Sequence, residues 1–265
     1  MVIAGLAYPG MSPVQPRCYW TENMKKLLTL ALLAGLGISG AAQATLTDRG
    51  GGLIYDDVLN ITWLQDANYA QTSGYDANGR MEWSAANAWA AGLSYFDSVR
   101  NVTWSDWRLP TVAPVGAAFN YAFSNNGTTD VGYGNTSPNS EMAYMYYVNL
   151  GNLGSCTPDS GDPTSCHRPP GFRVTNTGPF DNWQSYPFWS GTAYAPDPAI
   201  YSWVFDTGIG LQRSFSRGNE FVAWAVRPGD VAAAGAVPEP MSLALLGAGL
   251  AGSALGRRRR PLGAS

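Results

Sequence analysis

The sequence predicts an α+β domain, and three observations predict it. Two alanine-rich stretches of helical character sit in its first half, ahead of a run of short aromatic and β-branched segments separated by turn residues. Apolar segments at both ends of the chain confine the globular part to residues 45–231.

At the start, residues 1–23 carry Pro9, Pro13 and Pro16 without a helical period, and they read as an upstream over-extension. Met24 then opens Lys25-Lys26, an apolar run and Ala42-Gln43-Ala44. A basic start, an apolar middle and a small-x-small end make residues 24–44 a secretory signal peptide. Signal peptidase is expected to cut between Ala44 and Thr45. A retained anchor is the competing reading, and the shortness of the run speaks against it.

Next, Leu53–Asp56 and Ile61–Leu64 are two short strand candidates around Asp57–Asn60, a hairpin pattern. Residues 75–80 are a turn. From Met81 to Leu93, Trp83, Ala86, Ala90 and Leu93 recur along one face, which predicts an amphipathic helix. The centre of the sequence is Trp104-Ser-Asp-Trp107-Arg108-Leu109-Pro110-Thr111. Trp107 has a large apolar face and one donor, whereas Arg108 keeps its charge and needs an acceptor if it packs inward. The stretch therefore reads as a structural plug rather than a ligand site. Pro110 keeps Leu109 extended, so a second helix is expected over Val112–Phe123, capped by Thr111 with Pro114 in its first turn.

Residues 124–178 are rich in Gly, Asn, Ser, Thr and Pro, and only Met142–Leu150 is apolar and tyrosine-rich. So long an irregular excursion is where specificity is expected. Strands are expected at Phe188–Thr192, Tyr201–Asp206, Leu211–Phe215 and Phe221–Val226, forming an antiparallel meander.

Charge narrows the partners. Between Thr45 and Asp230 there are nine arginines, no lysine, fourteen aspartates and three glutamates, a net charge of −8. Nucleic-acid affinity comes largely from neutralising phosphates, so a nucleic-acid partner is not expected. Cys18 lies ahead of the signal peptide. In an exported protein the remaining pair, Cys156 and Cys166, reads as a disulfide across a short polar loop.

The end of the chain runs through an alanine- and glycine-rich linker, 232–236, into Val237-Pro238-Glu239-Pro240. An uncharged stretch, 241–256, follows, and then Arg257, Arg258, Arg259 and Arg260. The stretch is shorter than the roughly 20 residues a stable span prefers, and the arginines hold its end in the cytoplasm. The order of these three elements over 237–260 resembles the PEP-CTERM sorting signal. That resemblance implies recognition of Pro238, Glu239 and Pro240 by an exosortase, with a transient anchor in the inner membrane of a Gram-negative bacterium. The chain would then pass to the cell surface or an exopolysaccharide matrix.

Between residues 53 and 231, four pieces resemble the Lcl C-terminal domain family: the Ile54–Asp56 to Thr62-Trp63 hairpin, Trp104–Thr111, Phe188–Thr192 and Ala223–Pro228. That family is similar to the C-type lectin fold, so the resemblance implies two helices and a late meander. In collagen-like relatives the domain is associated with glycosaminoglycan adhesion. The acidic domain here lacks the basic patch such ligands need, which points to a neutral or cationic glycan or a surface protein.

Enzyme chemistry finds little to use. The sole histidine, His167, adjoins Cys166, so no nucleophile–histidine arrangement is evident and no enzyme is expected. The alternative is a secreted glycan hydrolase using loop carboxylates, whose separation the sequence does not fix. No metal site is assigned, although calcium could take oxygen ligands from Asp76, Asn78, Asp130, Asn135, Asn139, Glu141, Asp181, Asn182 and Glu220. Tryptophans within helix or strand patterns are expected in the core. Trp183, in the irregular Phe180-Asp181-Asn182-Trp183 turn, is the expected exposed sugar-stacking residue, with Asp181 and Asn182 beside it.

Overall fold

Three short strands come first: β1 (Leu46–Asp48), β2 (Leu53–Asp56) and β3 (Ile61–Leu64). A one-turn helix α1 (Tyr69–Thr72), strand β4 (Arg80–Met81) and helix α2 (Trp83–Gly92) follow. Next are β5 (Tyr95–Asp97), β6 (Val102–Trp104), β7 (Phe123–Ser124) and β8 (Val131–Gly132). Helix α3 (Glu141–Tyr144) runs on into a π-helical turn, Met145–Asn149. A small hairpin, β9 (Thr157–Asp159) and β10 (Asp162–His167), leads to the closing strands. These are β11 (Pro187–Ala193), β12 (Tyr201–Asp206), β13 (Leu211–Ser216), β14 (Phe221–Val222) and β15 (Val226–Pro228). The computed structural model describes residues 45–159 and 162–231. The expected signal peptide with Ala42 and Ala44, the linker and the sorting segment lie outside the described residues.

Two sheets organise the domain. The first has the order β1-β2-β3-β15, so the opening hairpin is completed by the last strand. Asp56 makes that hairpin turn: its carboxylate accepts from the backbone of Val58 and Leu59, and from Asn149 Nδ2 at 2.6 Å. The second sheet has seven strands in the order β4-β14-β11-β12-β13-β8-β7. Strands β11, β12 and β13 are the expected meander, with Trp203 opposite Ser214 and Val204 opposite Arg213. The segment expected as one strand, Phe221–Val226, is two: β14 pairs parallel to β11, and β15 crosses to the first sheet. Between them Ala223, Trp224 and Ala225 are buried, with Trp224 Nε1 donating to Leu64 O at 2.7 Å. Trp63, Phe180, Phe188 and Trp224 form the aromatic centre that joins the two sheets.

The first expected helix is present as α2, which buries Ala86, Trp89 and Ala90. The second is not. Residues 112–122 are irregular, and the cause is local. The Asp130 carboxylate accepts from Val115 N at 2.7 Å and from Asn120 N at 2.6 Å, taking backbone donors that a helix would pair internally. Thr111 therefore caps nothing; its N–H donates to Glu141 instead. The second helical element is α3 with its π turn, in the stretch read only as apolar and tyrosine-rich. It buries Met142, Ala143, Met145 and Tyr146. The excursion 124–178 is accordingly half core: Gln212 donates to Asp130 O and accepts from Ser140 Oγ, closing it against β13.

Candidate functional site

The central Trp-Arg-Leu-Pro stretch ties four elements together. Arg108 exchanges backbone bonds with Val226, and its guanidinium grips Glu141 through two 2.7 Å bonds. Trp107 and Leu109 are buried, and Trp107 Nε1 donates to Trp104 O. Pro110 O accepts from Gly191 N of β11. Trp104 lies under the Arg227 guanidinium, which is itself paired with Asp106. These side chains are largely occupied by one another, with Arg227 Nη1 buried and unpartnered.

The β5–β6 hairpin buttresses the same region. Asp97 is fully buried, yet its carboxylate receives Val99 N, Arg100 N, Arg100 Nη1 and Trp104 Nε1. Burial pushes its carboxyl up, but these donors outweigh burial and hold it below the usual carboxylate range. Asp56 and Asp206 go the other way: desolvation raises both despite hydrogen bonds from the backbone.

Trp183 is not the exposed ring that was expected. It packs edge-on to Trp224 at 5.1 Å and against Phe180 and Phe188, and its Nε1 is buried. The reason is the turn itself. Asp181 N and O bond to Gln65 O and Ala67 N, which pins the turn to the end of β3 and drives the following side chain inward. Asn182, in the left-handed region at φ 53, donates to Asp66 Oδ2 at 2.9 Å. Asp181 and Asn182 are exposed, whereas Trp183 is only partly so.

The calcium-type ligands are dispersed over their own turns. Asp76 accepts from the backbone of Asn78, Gly79 and Arg80, Asn135 from Ser137, and Asn139 donates to Pro114 O. Glu141 is held by Arg108 and Asp130 by the 115–120 loop. Among the described residues, no three His, Cys, Asp or Glu side chains come together in a metal-binding group.

Cys156 and Cys166 form the disulfide across the β9–β10 hairpin, with Cα atoms 4.8 Å apart. His167 sits in that hairpin, three-quarters exposed, with Nδ1 3.8 Å from Asp159 Oδ1. The hairpin is largely solvent-facing and is held by Asn125, whose side chain donates to Thr164 O and Ser165 O. Replacing both cysteines with serine is expected to cost the hairpin about 2–3 kcal/mol on the chain-entropy account. Hydrogen exchange would then rise over residues 156–167 and stay unchanged at Trp203 and Val204. Intact mass with and without reductant checks the bond itself.

Sequence reasoning missed the aromatic group around Trp203. Phe119 and Tyr121 stack on Trp203 within 25° of parallel, at 5.5 and 6.2 Å, and Tyr194 meets it edge-on at 5.2 Å. A helix expected over 112–123 hid it. The signal available was the spacing of Phe119 and Tyr121 in a segment broken by Pro114 and Gly116. A separate groove of about 260 Å³ runs beside α2, lined by Tyr75, Trp89 and Leu93.

Comparison with known proteins places one feature. Residues 236–260 match the PEP-CTERM protein-sorting motif. The motif points to an exported, envelope-associated protein that an exosortase sorts. No curated protein and no solved structure matches the chain. Among the described residues no helix is long and apolar enough to cross a membrane.

Proposed function

We propose that the protein is a substrate of an exosortase in a Gram-negative bacterium, displayed at the cell surface or in the exopolysaccharide matrix. Its domain is a non-catalytic, lectin-like binding module for an exopolysaccharide or a surface protein. The observation that carries the sorting part of the proposal is the motif at residues 236–260. On this reading the 241–256 segment anchors the chain in the inner membrane until Val237–Pro240 is processed, and the arginines 257–260 keep its end inside.

The fold supports display. Strand β15 pairs with β3, Gly229 donates to Asn60 O, and Arg49 grips Asp230 through two bonds. The domain therefore begins and ends at one sheet, away from the strands β11 to β13 at the centre of the other. The carboxylates argue for binding over hydrolysis, since Asp97, Asp130 and Glu141 are each held by donors within the fold.

The test is replacement of Pro238, Glu239 and Pro240 with alanine, beside deletion of the exosortase. Both strains are expected to accumulate full-length chain in the membrane fraction and lose the surface form. Normal release of the domain from both would reduce the segment to a plain anchor.

A further inference from the structure

The aromatic group around Trp203 has a chemistry that matches a ligand class. Trp203 is fully buried, whereas Phe119, Tyr121 and Tyr194 are half-buried over it and Tyr201 and Ile200 are exposed at 38% and 51%. Phe119 and Tyr121 lie 5.8 Å apart and 22° from parallel, so they tile the surface rather than interlock. Tyr194 stands against both Tyr121, at 5.0 Å, and Tyr201, at 6.5 Å.

The backbone holds this arrangement from two sides. Asp130 fixes the 115–120 loop that carries Phe119. The turn joining Tyr194 to Tyr201 is closed by bonds from Tyr194 N to Tyr201 O and from Tyr201 N to Asp197 O. A preformed aromatic surface loses little entropy when something stacks on it.

Its polar character then selects the ligand. The hydroxyls of Tyr121, Tyr194 and Tyr201 have no hydrogen-bond partner among the described residues, so three phenols stand ready at the margin of an apolar face. Each can donate and accept, which suits the hydroxyl groups of a sugar, while the rings suit its C–H face. The charges beside the patch, Asp130 and Asp197, are carboxylates. The described arginines stack on other rings, such as Tyr186, Trp83 and Trp104. An anionic chain would meet these two carboxylates, while Arg217, bonded to Ile200 O and Ser202 Oγ beside Tyr201, is held over the Trp83 ring.

We propose that Phe119, Tyr121, Tyr194 and Tyr201 form a stacking site for an uncharged polysaccharide. The proposal rests on the binding-module reading and moves its site from the Asp181–Trp183 turn to this patch.

The test is affinity electrophoresis of the full chain in gels containing dextran, laminarin, chitosan oligomers or polygalacturonate. A neutral glucan is expected to retard the protein. Tyr121→Ala and Tyr201→Ala are each expected to weaken binding about tenfold, with Tyr201→Phe intermediate because it keeps the ring. Tyr75→Ala, in the groove beside α2, serves as the control and is expected to bind normally. Thermal melting of each variant separates lost binding from lost fold. Glucan binding that survives both tyrosine changes would overturn this site and leave the module reading standing. Binding of polygalacturonate alone would overturn the uncharged ligand. No retardation in any gel would overturn the site and leave the module reading only its surface-protein partner. Sedimentation that shows a dimer abolished by Tyr201→Ala would assign the patch to self-association and overturn the proposal.

Discussion

Asp97→Ala is expected to lower the stability of the domain by about 3–5 kcal/mol, the range for breaking a buried charge pair from one side. The carboxylate satisfies two backbone donors, the Trp104 indole and the Arg100 guanidinium, and Arg100 also donates to Arg49 O beside the Gly50–Gly52 turn. The four donors to Asp97 would be left without their acceptor. The group also sets an acid limb. Its folded pKa is depressed, so its stabilisation is fully present above the ordinary carboxylate value of 3.8 and is lost as pH falls through the lower folded value. Asp56 and Asp206 have raised values and act in the opposite sense. Their buried charge costs stability above the folded pKa, and protonation relieves that cost as pH falls toward 3.8. Denaturation midpoints are therefore expected to hold or rise slightly on mild acidification, then drop below 3.8. In Asp97→Asn that final drop should flatten. An unchanged acid limb in the variant would assign it to other carboxylates.

Gly132→Ala is the second large effect expected, at least about 3 kcal/mol. Gly132 sits at φ 131, and an added methyl would overlap the carbonyl oxygen of Ser124 on the neighbouring strand β7. Backbone cannot swing aside as a flexible side chain can, and Gly132 also pairs with Gln212 of β13. The change should detach β7 from the edge of the large sheet. Equilibrium unfolding in urea measures it, and a wild-type midpoint would show that the edge tolerates the shift. Gly92→Ala, where nothing lies within 4 Å of the added carbon, is the matched control.

These two residues mark what could and could not be read in advance. The hairpin at 53–64 and the strand 201–206 were legible because β-branched and aromatic content and turn chemistry act over a few neighbours. The expected helix at 112–123 failed because its competitor, Asp130, is remote from its donors and reveals nothing by local pattern. Trp183 misled for a similar reason. Irregular sequence suggested exposure, but the backbone bonds of Asp181 to Gln65 and Ala67 turn its ring into the aromatic centre. The stacking patch was illegible because it joins a loop, a strand and a turn, from Phe119 to Tyr201. Arg108 stands between these cases: its need for a carboxylate followed from charge alone, while the choice of Glu141 did not.

The pairing of β3 with β15 has a consequence for the order of events during export. Thr62 Oγ1 donates to Gly229 O, a contact between residues 167 apart in sequence. The first strands to emerge cannot complete their sheet until nearly the whole domain has followed. Closure over so long a span is slow compared with local pairing. The first sheet is therefore complete only once residues 226–228 have joined it, and the final strand acts as its latch.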